Sequence, residues 1–201
     1  MRILSSILAS LLLFASPAMA ADENKYDFDK SHTRILFFID HLGFSETVGD
    51  FTDYDGHFVF DEKEPAKSSV DVTLKVAGIR TVSQKLDEHL MNEDFFNEKK
   101  FPTIRFTSKE VKVTGKDTAE ITGDVTMLGV TKPVTLHVKL NKVGFYPMGD
   151  VYAAGFTANA TLKRSDFGMN HGLPMVGDDV RIEIYTEGHH VTKKKPAANK
   201  Q

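Results

Sequence analysis

Residues 134–140 read Val134-Thr135-Leu136-His137-Val138-Lys139-Leu140, apolar and polar by strict turns, and this alternation decides the fold class. A period of two sends successive side chains to opposite faces of an extended chain, leaving one face dry and one wet. The same pattern recurs on both sides. Val70, Val72, Leu74 and Val76 alternate with Asp71, Thr73 and Lys75; Phe156, Ala158, Ala160 and Leu162 alternate with Thr157, Asn159 and Thr161; Val180, Ile182 and Ile184 alternate with Arg181 and Glu183. Further strands are expected over residues 33–39, 49–60, 101–113 and 119–127. Within 101–113 the apolar parity slips between Phe106 and Val111, which predicts a bulge or bend. Turn signals at Asp55-Gly56, Glu64-Pro65, Gly115-Lys116-Asp117, Gly129 and residues 147–150 separate the runs, and connections this short join antiparallel neighbours. One segment departs from the pattern. Thr81 with Gln84 offers a capping box and Leu86 and Leu90 lie four apart, so residues 83–92 predict a helix able to cover one end of a barrel.

About eight strands leave two architectures, a closed barrel or a two-layer sandwich, since long open edges invite aggregation. The strand lengths favour the barrel. At eight strands the interior is either filled by side chains or just wide enough for one small ligand. The inward face carries the small residues Gly123, Ala158 and Ala160 and the large Phe58, Phe60, Phe106 and Phe156, and periodicity alone leaves the solid and hollow readings both open. A lipid-embedded barrel would alternate as well. Against it stand the absence of Trp, the lack of aromatic girdles and a Lys-rich end in place of a closing strand.

The N-terminus places Arg2 before an apolar run over residues 3–14, then Ser16, Pro17 and the small-x-small site Ala18-Met19-Ala20. That order predicts a secretory signal peptide over residues 1–20, cleaved after Ala20, and hence a periplasmic protein. Residues 21–192 are then expected as one domain, with a disordered Lys-rich tail over 193–201. The chain has no Cys, which excludes disulfides, thiolate metal sites and cysteine nucleophiles. Its formal charge is −3, so no nucleic-acid partner is expected.

The remaining chemistry is thin. Eight His invite a metal reading, yet none has HExxH spacing, and His189-His190 sits at the end of the last strand, so no metal site is expected. Asp50, Asp53 and Asp55 before Gly56 lack the register and closing Glu of a calcium loop and fit a hairpin turn better. Gly43-Phe44-Ser45 lacks the second glycine of a nucleophile elbow, and Gly115-Lys116-Asp117 lacks the hydroxyl that follows the lysine of a phosphate loop.

Several segments, taken in order, resemble the YceI family: His41-Leu42-Gly43-Phe44-Ser45; Asp87-Glu88-His89-Leu90 leading to Phe95-Phe96; Phe101-Pro102-Thr103-Ile104-Arg105-Phe106-Thr107-Ser108; Leu128-Gly129-Val130-Thr131-Lys132-Pro133-Val134; Arg164-Ser165-Asp166-Phe167-Gly168; and Gly177-Asp178-Asp179-Val180. Tyr146-Pro147-Met148-Gly149 departs from it, with Met148 where relatives often carry Trp. The resemblance implies an all-β, eight-stranded antiparallel lipocalin-like barrel, with the short helix over one end, whose tunnel binds a polyisoprenoid such as an isoprenoid quinone or prenyl phosphate. It further implies a carrier or store, not an enzyme, working without a cofactor beyond the bound isoprenoid lipid. A transient contact with a membrane or a membrane quinone protein follows, as monomer or homodimer. The lining expected on this basis is Phe58, Phe60, Val72, Leu74, Phe106, Val125, Met127, Phe156, Ala158 and Phe167, with Phe44 beside it. His41, Ser45, Arg164 and Asp166 are expected at the mouth, Arg164 contacting a head-group oxygen and Asp166 orienting it; an ordinary turn-stabilising pair reads equally well. The rival reading is an isoprenoid-modifying enzyme, for which His41 or His89 would be the titratable group.

Overall fold

A computed structural model describes residues 24–195, so the expected signal peptide and residues 196–201 lie outside the described residues. The strands are β1 (Lys25–Phe28), β2 (Arg34–His41), β3 (Ser45–Phe51), β4 (Tyr54–Val59), β5 (Ser69–Lys75), β6 (Ile79–Arg80), β7 (Thr103–Val113), β8 (Thr118–Met127), β9 (Val130–Phe145), β10 (Tyr152–Lys163) and β11 (Val176–His190), of which β1 and β6 fall outside the alternating runs read from the sequence. All belong to one antiparallel sheet. Its neighbours run β1-β4-β5-β7-β8-β9-β10-β11, and β11 pairs back onto β1 through Tyr26 and His190, closing a ring of eight. Closure removes the free edge at that level. The three extra strands arise because β1/β2, β3/β4 and β5/β6 are each one bent stave; beyond the bends, β2, β3 and β6 continue the sheet from β11. No helix among the described residues is long and apolar enough to cross a membrane.

Local chemistry accounts for the register. Leu128 (φ 53°) and Gly129 (φ 76°) take left-handed backbone between the paired Met127 and Val130, the geometry that matches a two-residue hairpin to strand twist. The parity slip expected in β7 is a register shift between Ser108 and Glu110 against β8. Two expectations are corrected. Asp55-Gly56 is no hairpin turn but lies inside β4, where Gly56 (φ 141°) faces Val72; a Cβ there would meet the Asp71 carbonyl at 2.2 Å. Asp53 and Asp55 instead pair with Lys75, and Asp55 also with Lys30. The helix, α1 (Gln84–Leu90), is capped by Ser83, whose hydroxyl accepts from the Leu86 N–H, while Thr81 bonds Asp87.

Helix α1 and residues 91–102 cover the end where β6 and β7 diverge, with Leu90 and Phe96 buried in the main core. At the opposite end Tyr26 stacks on Phe58 at 5.0 Å, and Phe58 and Phe60 meet Phe156 edge-on. The tail expected from Lys193 onward is tied down at its first residue: Lys193 Nζ lies 2.6 Å from Glu62 and over the Tyr152 ring. The aromatic cluster depends on Gly188, where an added Cβ would lie 2.3 Å from the Phe58 ring. Gly188→Ala is expected to cost about 1–3 kcal/mol through overpacking, measured as a lowered urea midpoint.

Candidate functional site

The dry faces of the staves do not meet. They enclose a cavity of about 560 Å³, within the range of small-molecule sites. Val134, Leu136, Ile182 and Ile184 point inward yet are only part-buried, because the surface they keep faces the cavity and not bulk water. On β8 the lining runs from Ala119 to Met127, a span of about 27 Å at the rise of a strand. The space is therefore long and narrow. Most of its wall is carbon; among the polar side chains that border it are Thr33 and Thr186, whose hydroxyls bond each other at 2.9 Å.

Of the residues expected to line a tunnel, Val72 and Leu74 on β5, Phe106 on β7, Val125 and Met127 on β8, and Phe156 and Ala158 on β10 do border this cavity, with Phe58 and Phe60 at the aromatic end. Gly123 does not provide space. A Cβ there would sit 2.6 Å from the Phe106 ring, which lies across it. Phe167 is buried, but in the core beside Met169 and outside the cavity wall. Phe44 is 90% exposed at the tip of the β2–β3 hairpin, where Leu42 (φ 61°) and Gly43 (φ 73°) reverse the chain and turn it outward. Ser45 is likewise exposed and away from the wall, paired in the ladder with His41.

His41 borders the cavity at the end carrying α1, and so does Arg164, though not in the expected manner. Arg164 is only 2% exposed, and four of its N–H groups donate to backbone carbonyls: Nε to Gly177 at 2.7 Å, Nη1 to His171 at 2.8 Å and Met169 at 3.1 Å, Nη2 to Val176 at 3.1 Å. It closes the loop over residues 168–177 upon itself. Burial draws its basicity down, and the charge of Asp178 counters this. Asp166 does not orient it. That carboxylate is exposed and off the wall, and the turn's anchor is Asp178, which accepts from the Ser165 N–H at 2.9 Å and hydroxyl at 2.8 Å and is held below the usual carboxylate range by those bonds.

Sequence reasoning missed what stands beside Arg164. His89 and His171 both border the cavity, and both face Asp94, His171 Nδ1 at 3.5 Å and His89 Nε2 at 3.9 Å. Positions 89 and 171 are too far apart for any spacing motif to join them. A second titratable cluster lies off the cavity wall, where Asp29 bonds Ser31 and His32 and faces His189 at 3.2 Å, and Glu187 bonds Tyr146. Burial opposes the Asp29 charge, but the hydrogen bonds from Ser31 and His32 prevail and keep its carboxyl below the ordinary range.

The profile of the YceI-like domain matches residues 26–188. A UPF0312 protein of Pseudomonas aeruginosa is 45% identical over 181 residues, covering 90% of this chain and 93% of that one. The crystal structure of a Campylobacter jejuni YceI protein superposes with a TM-score of 0.63 at 32% identity, over 70% of this chain and 83% of its own. A polyisoprenoid-binding domain from Saccharophagus degradans, implicated in plant cell wall breakdown, shares the fold at a TM-score of 0.63 and 9% identity, over 82% of this chain and 98% of its own.

Proposed function

The chain belongs to the YceI-like family, and on that premise we propose that its lumen holds the apolar chain of a polyisoprenoid, an isoprenoid quinone or a prenyl phosphate, for transport or storage without chemical change. The observation that carries this reading is the row of inward apolar side chains left uncovered inside a long cavity. A polyprenyl chain offers no hydrogen bonds, so its binding comes from removing carbon from water, about 25 cal/mol per Å² before ordering costs. A wall with few polar groups suits such a guest and fixes little besides its length. The polyisoprenoid-binding domain of the same fold supports the lipid class.

The reading of residues 1–20 as a signal peptide supports a periplasmic site of action. There the exposed Leu42, Phe44 and Met175, which adjoin the rim residues His41 and Val176, supply an apolar contact with a membrane through which the lipid enters. The test is to extract purified protein with organic solvent, identify the extract by mass spectrometry, and re-incubate the protein with what is found. One chemically unaltered isoprenoid per chain is expected. An extract without isoprenoid would sink the proposal, and turnover of the lipid abolished by His41→Ala or His89→Ala would establish the modifying-enzyme reading in its place.

A further inference from the structure

The geometry points to a divalent transition-metal site formed by His89, Asp94 and His171 at the rim of the lumen, with a coordination position open toward the lumen for an anionic oxygen of the guest's head group. The metal site stands by itself; the head-group clause rests on the lipid reading above.

The donor set comes first. Two imidazoles and a carboxylate form a nitrogen-and-oxygen set that suits zinc, cobalt, nickel or copper, whereas magnesium and calcium prefer oxygen alone. One ligand atom from each residue lies within 4.8 Å of the others. Ligand bonds of about 2.0–2.2 Å set neighbouring donors of a tetrahedral ion about 3.4 Å apart, close to the 3.5 Å already found between His171 and Asp94. Small rotations of side chains complete the set.

The ligands are also held in place. His89 lies in the last turn of α1, anchored by the buried Leu90 that follows it. Asp94 sits in the next turn, its N–H bonded to the Asn92 side chain at 2.9 Å. The Phe95 ring lies edge-on to His89 at 4.9 Å and tilted on His171 at 5.2 Å, so one aromatic side chain props both imidazoles. The His171 carbonyl is gripped by Arg164. Support of this kind behind ligands is what tunes metal affinity.

Three protein ligands leave a fourth position on a tetrahedral ion, as in catalytic and ligand-exchanging zinc sites and unlike closed structural ones. Both His side chains border the cavity while Asp94 lies outside its wall, so the open position faces inward. A metal there would meet the polar end of a chain lodged in the lumen, at the one rim where Arg164 has already committed most of its donors. The rival cluster of Asp29, His32 and Glu187 has its ligand atoms engaged, His32 Nδ1 with Asp29 at 2.7 Å and Glu187 with Tyr146, and serves as the internal control.

The experiment uses untagged, EDTA-stripped protein titrated with Co²⁺, read by visible ligand-field absorption, and with Zn²⁺, read by calorimetry. One ion per chain is expected, with the strong absorption of four-coordinate cobalt. His89→Ala, Asp94→Asn and His171→Ala are each expected to weaken binding by about tenfold or more. The pair His32→Ala with His189→Ala should leave it unchanged. All three ligands are surface residues, so melting curves in EDTA should match the parent and separate lost metal from lost fold. Binding that survives the His89/His171 double substitution, or that follows His32 and His189, overturns the site. In a second arm, geranylgeranyl monophosphate and geranylgeraniol are bound with and without Zn²⁺. Tighter binding of the phosphate alone, with a shifted cobalt spectrum, supports the inward position, and equal response of both lipids overturns it. Cobalt binding that depends on the three residues, in a protein that takes up neither lipid, would uphold the metal and defeat the lipid reading; lipid uptake without cobalt binding would do the reverse.

Discussion

Arg164→Ala is expected to lower folding stability by about 3–5 kcal/mol, the scale of breaking a buried charged network from one side. The guanidinium is nearly inaccessible and satisfies the carbonyls of Met169, His171, Val176 and Gly177 at once. Truncation leaves four acceptors short of a donor and removes the planar fork that fixed their spacing. Arg164→Lys should recover little, because a single ammonium cannot reach carbonyls presented on several sides. Urea denaturation gives the magnitude. Hydrogen exchange should find the lost protection concentrated between Gly168 and Gly177 before it spreads, whereas a uniform loss across the barrel would mean that Arg164 stabilises the fold in general and not this loop. By the same connection, Arg164→Ala loosens His171 and with it the rim.

Arg164 also marks where sequence reading stops. Its place at the end of β10 was legible, since a periodic apolar run ended there and a turn motif began. Its setting was not, because the carbonyls it serves belong to the loop that follows, and the carboxylate that anchors the turn is not the nearby Asp166 but Asp178, brought over by the pairing of β10 with β11. The staves themselves were legible for a plain reason: alternation is a backbone property that survives whatever the strand packs against. The bends that turn eight staves into eleven strands left no such mark, since each is a short break inside or beside an alternating run. Gly123 was misread because a small residue signals room only when nothing lies over it, and Phe106 does. Phe44 was placed beside the lumen by the motif that carries the resemblance and not by alternation, and the β2–β3 hairpin, reversing through two left-handed residues, turns it outward. The cluster of His89, Asp94 and His171 could not be read at all, since it exists only once α1 and the loop after β10 meet at one end of the barrel.

Whether the barrel is hollow is the question that periodicity left open, and Ala158→Phe is expected to answer it. Ala158 is buried on β10, between Val138 of β9 and Ile184 of β11, with its methyl toward the cavity. In a core packed solid, a phenyl ring at this position would force its neighbours apart and cost about 1–3 kcal/mol or more. In a hollow barrel the ring has somewhere to go. It covers apolar wall that is otherwise exposed to the lumen, so the melting temperature should hold or rise. The same ring takes volume from a narrow space in which a chain-like guest has no room to pass beside it. Lipid recovered per chain should therefore fall about tenfold or more, a loss of at least about 1.4 kcal/mol of binding. Asn159→Phe, one residue along and on the outer face, places an equal ring in water and should leave lipid content untouched. The two readouts move in opposite directions under the two readings. Lower stability with unchanged lipid would mean a filled interior and a guest held elsewhere, while unchanged stability with lost lipid ties the guest to the lumen bordered by Ala158.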